Sequence, residues 1–441
     1  ADSQGHPVSD LTAAELQVTD QGKTQPIASF RKDTRRPSVA TSPSEFSNRP
    51  AALNNVHVIL FDLLNLDMAA RKPATDQIVR ALEHLEVSES VYLYLVNLSG
   101  ELVRVRALPE SMTDLRAAGA PWTTDARALL EKAIGPVAAM RPVFERDIAL
   151  RVKTTYNSLE IVAGRLALLP GRKTIDWITA GVPRSFPLEN GQIFDCIPNL
   201  RQAAGKIAQA NVSVNPVSQL LASTGPENLQ TLQEFADLTG GKLYQGGDIE
   251  RAIPDTIEAS RSVYRVQYAP PGGNWDGKFH KVRVTATRKG VNIQSEQGYT
   301  ADKQAPAASD RTAALFQNPF DASDIGLRTI LSPLPEPHKF HVQIIIDAND
   351  LQLAPQADRF AGQLTLMFGG YLADGKLQSY PPMPVNLNLT AEQRDRGARD
   401  GLKLGNDLTV DPAAGKVRLV VTDRGSNTSA TLTIPIAPVA K

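Results

Sequence analysis

The chain has 441 residues, 42% of them hydrophobic and 21% charged, with Lys+Arg 47 balancing Asp+Glu 47. At roughly 150 residues per domain this length predicts about three domains, each able to bury a core. The charge balance argues against a nucleic-acid partner, which needs a basic face, and no apolar run reaches the ~18–20 residues of a membrane helix. Cys196 is the only cysteine, so no intrachain disulfide or thiolate metal cage can form.

Residues 1–30 read as short strands, with turns at Ser3-Gln4-Gly5 and Asp20-Gln21-Gly22-Lys23. The opening residues are too polar for a signal peptide, and a preceding strand and leader are expected to have been removed. Residues 31–54 lose this pattern, and Arg35-Arg36-Pro37, Ser42-Pro43 and Arg49-Pro50 suit an extended linker.

From 55 to about 260 strands and helices alternate. Residues 56–61 form a continuous apolar run ending at Asp62, as expected of a strand buried on both faces. Ile78, Leu82 and Leu85 have helical spacing. Residues 91–98 and 102–108 are strands joined at Ser99-Gly100, a hairpin. Helices follow around Leu130, with Asp125 as N-cap and a kink at Pro136, and over 148–166. A strand at 174–179, a helix around Leu200 and Ile207, and a strand at 212–217 come next. A helix ending at Gly240-Gly241, a short strand at 242–245 and a helix through Ile249, Ile253 and Ile257 close the region. This alternation implies a mostly parallel sheet covered on both faces, with ligands bound beyond the carboxyl ends of the strands. The loops after Phe61, Thr179 and Val217 are therefore the places for function. Residues 262–300, including 291–294, and 325–437 return to strands, with one polar helix at 391–399, and the latter stretch suggests a β-sandwich.

Region 55–260 resembles a von Willebrand factor A domain, and most of the chain is similar to the VWFA-related proteins of acidobacteria. The resemblance rests on Gly5-His6-Pro7-Val8-Ser9-Asp10-Leu11-Thr12, Leu169-Pro170-Gly171-Arg172-Lys173, Leu238-Thr239-Gly240-Gly241 and Trp275-Asp276-Gly277-Lys278-Phe279-His280-Lys281-Val282. It implies a doubly wound, Rossmann-like von Willebrand factor A domain (55–260) inserted in a β-sandwich and followed by a C-terminal β-sandwich. Residues 1–36 and 261–300 would be the two parts of the first sandwich, 37–54 and 301–324 linkers, and 325–441 the second sandwich.

The resemblance also implies a cation site of the form Asp-x-Ser-x-Ser, completed by a Thr and an Asp from two other loops. Here Asp62 stands at the first position, but Leu64 and Leu66 replace the serines and Ala180 replaces the second acid. At least three oxygen ligands for a hard cation are gone. No cofactor is therefore expected. The competing reading is Mg²⁺ held by Asp62, Asn65, Asp67 and Thr124. Without a metal, Asp62 would bond neighbouring loop amides while Asn65 and Asp67 cap the next helix.

Catalytic motifs are missing: there is no Gly-x-Ser-x-Gly, no His-Glu-x-x-His and no P-loop in its required context. The expectation is a non-enzymatic, extracytoplasmic protein-binding or scaffold protein. Asp62, Asn65, Asp67, Trp122, Thr123, Thr179 and Gly181 are its candidate partner-binding residues. The rivals are a metal-dependent adhesion domain and a self-assembling subunit of a surface structure.

Overall fold

A computed structural model describes residues 2, 8–32, 44–49, 55–85, 90–110, 125–134, 148–169, 172–188, 190–219, 226–260, 263–270, 275–301, 308–372 and 374–436. It is a mixed α/β structure. Its centre is a five-stranded sheet of β1 (Asn55–Asp62), β2 (Ser90–Val96), β3 (Leu102–Arg106), β4 (Arg172–Thr179) and β5 (Val212–Ser218) in the order β5-β4-β1-β2-β3. All pairs are parallel except β2 with β3, the expected hairpin edge.

The alternation along β1 decides which core each residue joins. Val56, Val58 and Leu60 pack with α3 (Ile148–Ala167), α4 (Ile197–Gln209) and α5 (Pro226–Thr239). Ile59 and Phe61 pack with α1 (Met68–Glu83), α2 (Asp125–Ile134) and α6 (Ile249–Ser260). The helix after β1 thus covers one face and the helix after β4 the other. The chain changes direction between β1 and β4, and in sheets of this kind ligands bind beyond the carboxyl ends of the strands at such a point.

The turn after α5 depends on its glycines. Gly240 has φ +69°, and a Cβ on Gly241 would lie 1.7 Å from the Val214 carbonyl oxygen, so the helix end can approach β5 this closely only without a side chain. The expected strand at 242–245 is reduced to one bridge between Tyr244 and Val217. The expected strand at 291–294 is also absent. Gln294 and Gln297 instead hydrogen-bond the Gly240 and Asp237 carbonyls (3.1 and 3.2 Å), so this segment fastens to the end of α5.

Strands from before and after the central region meet. Leu16–Asp20 runs antiparallel to Phe279–Ala286, and Ile27–Lys32 to Tyr264–Tyr268. The Trp275–Val282 motif serves this join. Asp276 accepts from Lys278 N (2.9 Å) and contacts His280 Nε2 (3.2 Å), building the turn that opens the strand.

Residues 325–436 form two sheets whose inward rows, including Leu327, Val342, Ile344, Leu366, Leu419 and Leu432, share one core. The stretches expected as linkers contribute to this part. Within 37–54, Glu45–Ser47 pairs with residues 328–330, because Asn48 bonds the Ala322 and Ile325 carbonyls and Arg49 bonds Ser323 O and Asp350. Within 301–324, Ala308–Gln317 is a helix, and Phe320 is buried in the core beneath α3–α5. Proline-containing dipeptides in the first stretch and an Ala-, Asp-, Gln- and Pro-rich composition in the second signalled linkers, but the described residues 44–49 and 308–324 carry buried anchors.

Candidate functional site

Asp62 ends β1 and Thr179 ends β4, so both stand at the carboxyl end of the sheet where the chain changes direction. Asp62 is fully buried and its two oxygens are occupied by protein donors. Oδ1 accepts from Asn65 N (3.2 Å), capping the 3₁₀ turn Leu63–Asn65. Oδ2 accepts from Asn65 Nδ2 (2.7 Å), Trp177 Nε1 (3.1 Å) and Thr179 Oγ1 (2.9 Å). Asn65 Nδ2 also reaches Thr155 Oγ1 on α3 (2.7 Å), and Thr179 Oγ1 accepts from Gly181 N (2.9 Å). Gly181 itself has φ +78°, the left-handed turn that leads the chain away from β4. Burial raises the carboxyl pKa of Asp62, and its hydrogen bonds oppose the rise.

Leu64 and Leu66 explain why the loop closes here. Leu64 is buried in the core of α3–α5 and Leu66 in the core of α1, α2 and α6. The two positions that would offer hydroxyls to a cation are pinned into opposite cores. Ala180 is buried, and its carbonyl accepts from Asn228 Nδ2 (3.2 Å).

The expectation that Asn65 and Asp67 cap α1 is corrected. The Asn65 amide bridges β1 to α3, and Asp67 occupies the N-cap position with no side-chain cap bond. Trp122, Thr123 and Thr124 lie outside the described residues.

Among the described residues, this loop does not offer the oxygen set of a hard divalent cation. Such an ion takes six or more oxygens, whereas the carboxylate here is sealed. Asn65 Oδ1 is the loop's one buried side-chain oxygen without a partner, and it is a single neutral donor. Among the described residues no group of three or more His, Cys, Asp or Glu is placed to hold a metal.

Around this sealed centre the loops expose apolar side chains. Met68, at the start of α1, is 63% exposed. Ile193 is 67% exposed on the hairpin of Ser185–Pro187 and Ile193–Asp195, which follows β4. Both residues follow strands that end at this side of the sheet.

The sequence reading missed a buried polar seam beneath α6. His57 Nδ1 meets Thr174 Oγ1 (2.6 Å) and its Nε2 meets Ser260 Oγ (3.2 Å). Asp176 accepts from Asn215 Nδ2 (3.0 Å) and Thr256 Oγ1 (2.8 Å). The available signal was a polar residue at alternate positions of otherwise apolar strands, facing Thr256 and Ser260 one helical turn apart.

Burial pushes the Asp176 carboxyl up to about 7, with its two hydrogen bonds acting the other way. The folded protein therefore holds this proton where the unfolded chain releases it. The resulting stabilisation is greatest below the ordinary aspartate range and is lost as pH rises through about 7. Asp176→Asn should flatten that part of the stability–pH curve. It should also raise stability at pH 8, by no more than roughly 4 kcal/mol. Urea titrations of both proteins at acid and alkaline pH check this.

No family profile and no curated protein sequence matches the chain. Solved structures similar to it include the pilus adhesin SpaC of Lactobacillus rhamnosus GG, at 11% identity and TM-score 0.31, over 95% of this chain and 59% of that one. Another is manganese-loaded TRAP of Plasmodium vivax, at 12% identity and TM-score 0.27, over 63% of this chain and 99% of that one. A third is the minor pilin PilB of Streptococcus sanguinis, at 12% identity and TM-score 0.26, over 47% and 60%. These scores mark a distant likeness. The chain spans 59% of the adhesin's length. Among the described residues no helix is long and apolar enough to cross a membrane.

Proposed function

We propose that the chain is a non-enzymatic, extracytoplasmic binding protein whose central region is a von Willebrand factor A domain with a degenerate metal site. It recognises a protein partner through the loops at the carboxyl end of the sheet, without a bridging cation. The supporting observation is that Asp62 is buried with both oxygens occupied while Met68, at the start of α1, and Ile193, on the hairpin after β4, stand exposed. Aromatic anchors dominate the energetics of protein recognition, so Trp122, with Thr123 beside it in sequence, is a candidate contributor from outside the described residues. Asp67 adds an exposed carboxylate at its rim, and Asn65, Thr179 and Gly181 shape its floor.

Capture on the immobilised full chain from a surface fraction of the producing cells tests this reading. The same bound species should appear in Mg²⁺ and in chelator, and should be lost with Met68→Asp/Ile193→Asp and weakened with Trp122→Ala. Capture that needs the cation would favour the metal-dependent adhesion reading instead.

A further inference from the structure

Arg49, Arg265, Arg328 and Arg418 are buried or half-buried, and each meets a carboxylate: Asp350 (2.7 Å), Asp324 (2.9 Å), Glu45 (3.0 Å) and Asp321 (3.2 Å) respectively. Arg151 on α3 differs. It is half-buried, its Nε is shut off from solvent, and that N–H has no acceptor. Among the described residues no carboxylate is paired with its guanidinium. A desolvated donor left unmade costs the fold stability, so an outside acceptor has something to gain there.

The position of this arginine follows from the chain path. α3 leads within a few residues into β4, which is parallel to β1, so α3 runs back along the sheet and its first turns lie where β1 and β4 finish. Thr155 sets the level. Its Oγ1 accepts from the Asn65 amide (2.7 Å) and donates to the Arg151 carbonyl (2.9 Å). Arg151 stands one turn before Thr155 on the same side of the helix, about 6 Å farther out along the axis. Helix side chains lean toward the helix N-terminus, which carries the guanidinium past the turn Leu63–Asn65. Residues 148–155 hold Arg151 and Lys153 and no acid, and Leu150 between them and the helix start is exposed.

We propose that Arg151 receives an aspartate or glutamate side chain of the protein partner. The inference rests on the reading that this end of the sheet binds a protein, and it names the group recognised there. A carboxylate fits the guanidinium side-on, taking one bond from Nε and one from Nη. It thereby supplies the missing acceptor and balances a positive charge that no neighbouring acid answers.

Two measurements test this. The isotope-labelled full chain is titrated with N-acetyl-aspartate N-methylamide to roughly 0.1 M at constant ionic strength, so that screening stays fixed. The Arg151 Nε–H resonance, identified by its loss in Arg151→Lys, should move, and the asparagine counterpart should leave it in place. In the capture experiment Arg151→Glu should lose the bound species, and Arg151→Met should reduce it about tenfold or more. Arg151→Met should melt no lower than the wild type, since it removes a donor that nothing satisfies. Capture that survives Arg151→Glu overturns this inference and leaves the binding surface standing. A resonance that stays in place with the aspartate compound, or moves as far with the asparagine one, overturns it whether or not any species is captured. A melting point several degrees lower in Arg151→Met gives the arginine a structural role and counts against it.

Discussion

Asp62→Ala should lower folding stability by roughly 3–5 kcal/mol. The carboxylate is the shared acceptor of Asn65, Trp177 and Thr179, all drawn to one oxygen, with a backbone amide on the other. Each buried donor left unpaired costs about 1–3 kcal/mol, while relief from burying the acid offsets part of the sum. Asp62→Asn keeps one acceptor oxygen and removes the burial cost of a charge, so it should lose less, about 1–2 kcal/mol. Urea denaturation in chelator measures both. The same carboxylate acting as a metal ligand would give variants that differ from the wild type only when cation is supplied.

Arg418→Ala should be comparably damaging, at about 3–5 kcal/mol, the range for breaking a buried ion pair from one side. Arg418 and Asp321 are 3% and 1% exposed and lie 3.2 Å apart. The guanidinium also donates to the carbonyls of Leu315 (2.9 Å), Phe316 (3.2 Å) and Asn318, closing the end of the helix Ala308–Gln317. Asp321 in turn accepts from Thr433 N and Oγ1 (3.0 and 2.7 Å). Phe320, beside that aspartate, sits in the core of the central domain, and Asn318 Nδ2 reaches Leu168 O (3.2 Å). The pair thus fastens the C-terminal sheets to the domain that carries the proposed binding loops. In Arg418→Ala, proteolysis should begin within 301–325 at lower urea than in the wild type. Arg418→Met combined with Asp321→Leu should recover much of the loss, because no lone charge stays buried.

The central sheet was legible because its strands are continuous apolar runs broken by amphipathic helices, and Asp62 stood out as the acid at the end of one such run. The fate of that acid was less legible. Trp177 reads as core, and it is, but a buried indole N–H needs an acceptor, and that need points to Asp62. Thr155 gave no local signal, since its bond to Asn65 joins residues 90 positions apart. Composition did not reveal the anchors among the described residues of 37–54 and 301–324, where Arg49, Asn48 and Phe320 gain partners far along the chain. The leucines at 64 and 66 could be seen to lack oxygen, but only the packing shows that they hold the loop between two cores.

Thermal melting of the full chain in chelator, Mg²⁺ and Mn²⁺ tests most directly whether the sealed carboxylate at the end of β1 works without an ion. A ligand that binds only the native state raises its stability. The three curves should superimpose. A rise of several degrees in either metal, reversed by chelator and lost in Asp62→Asn, would contradict the account.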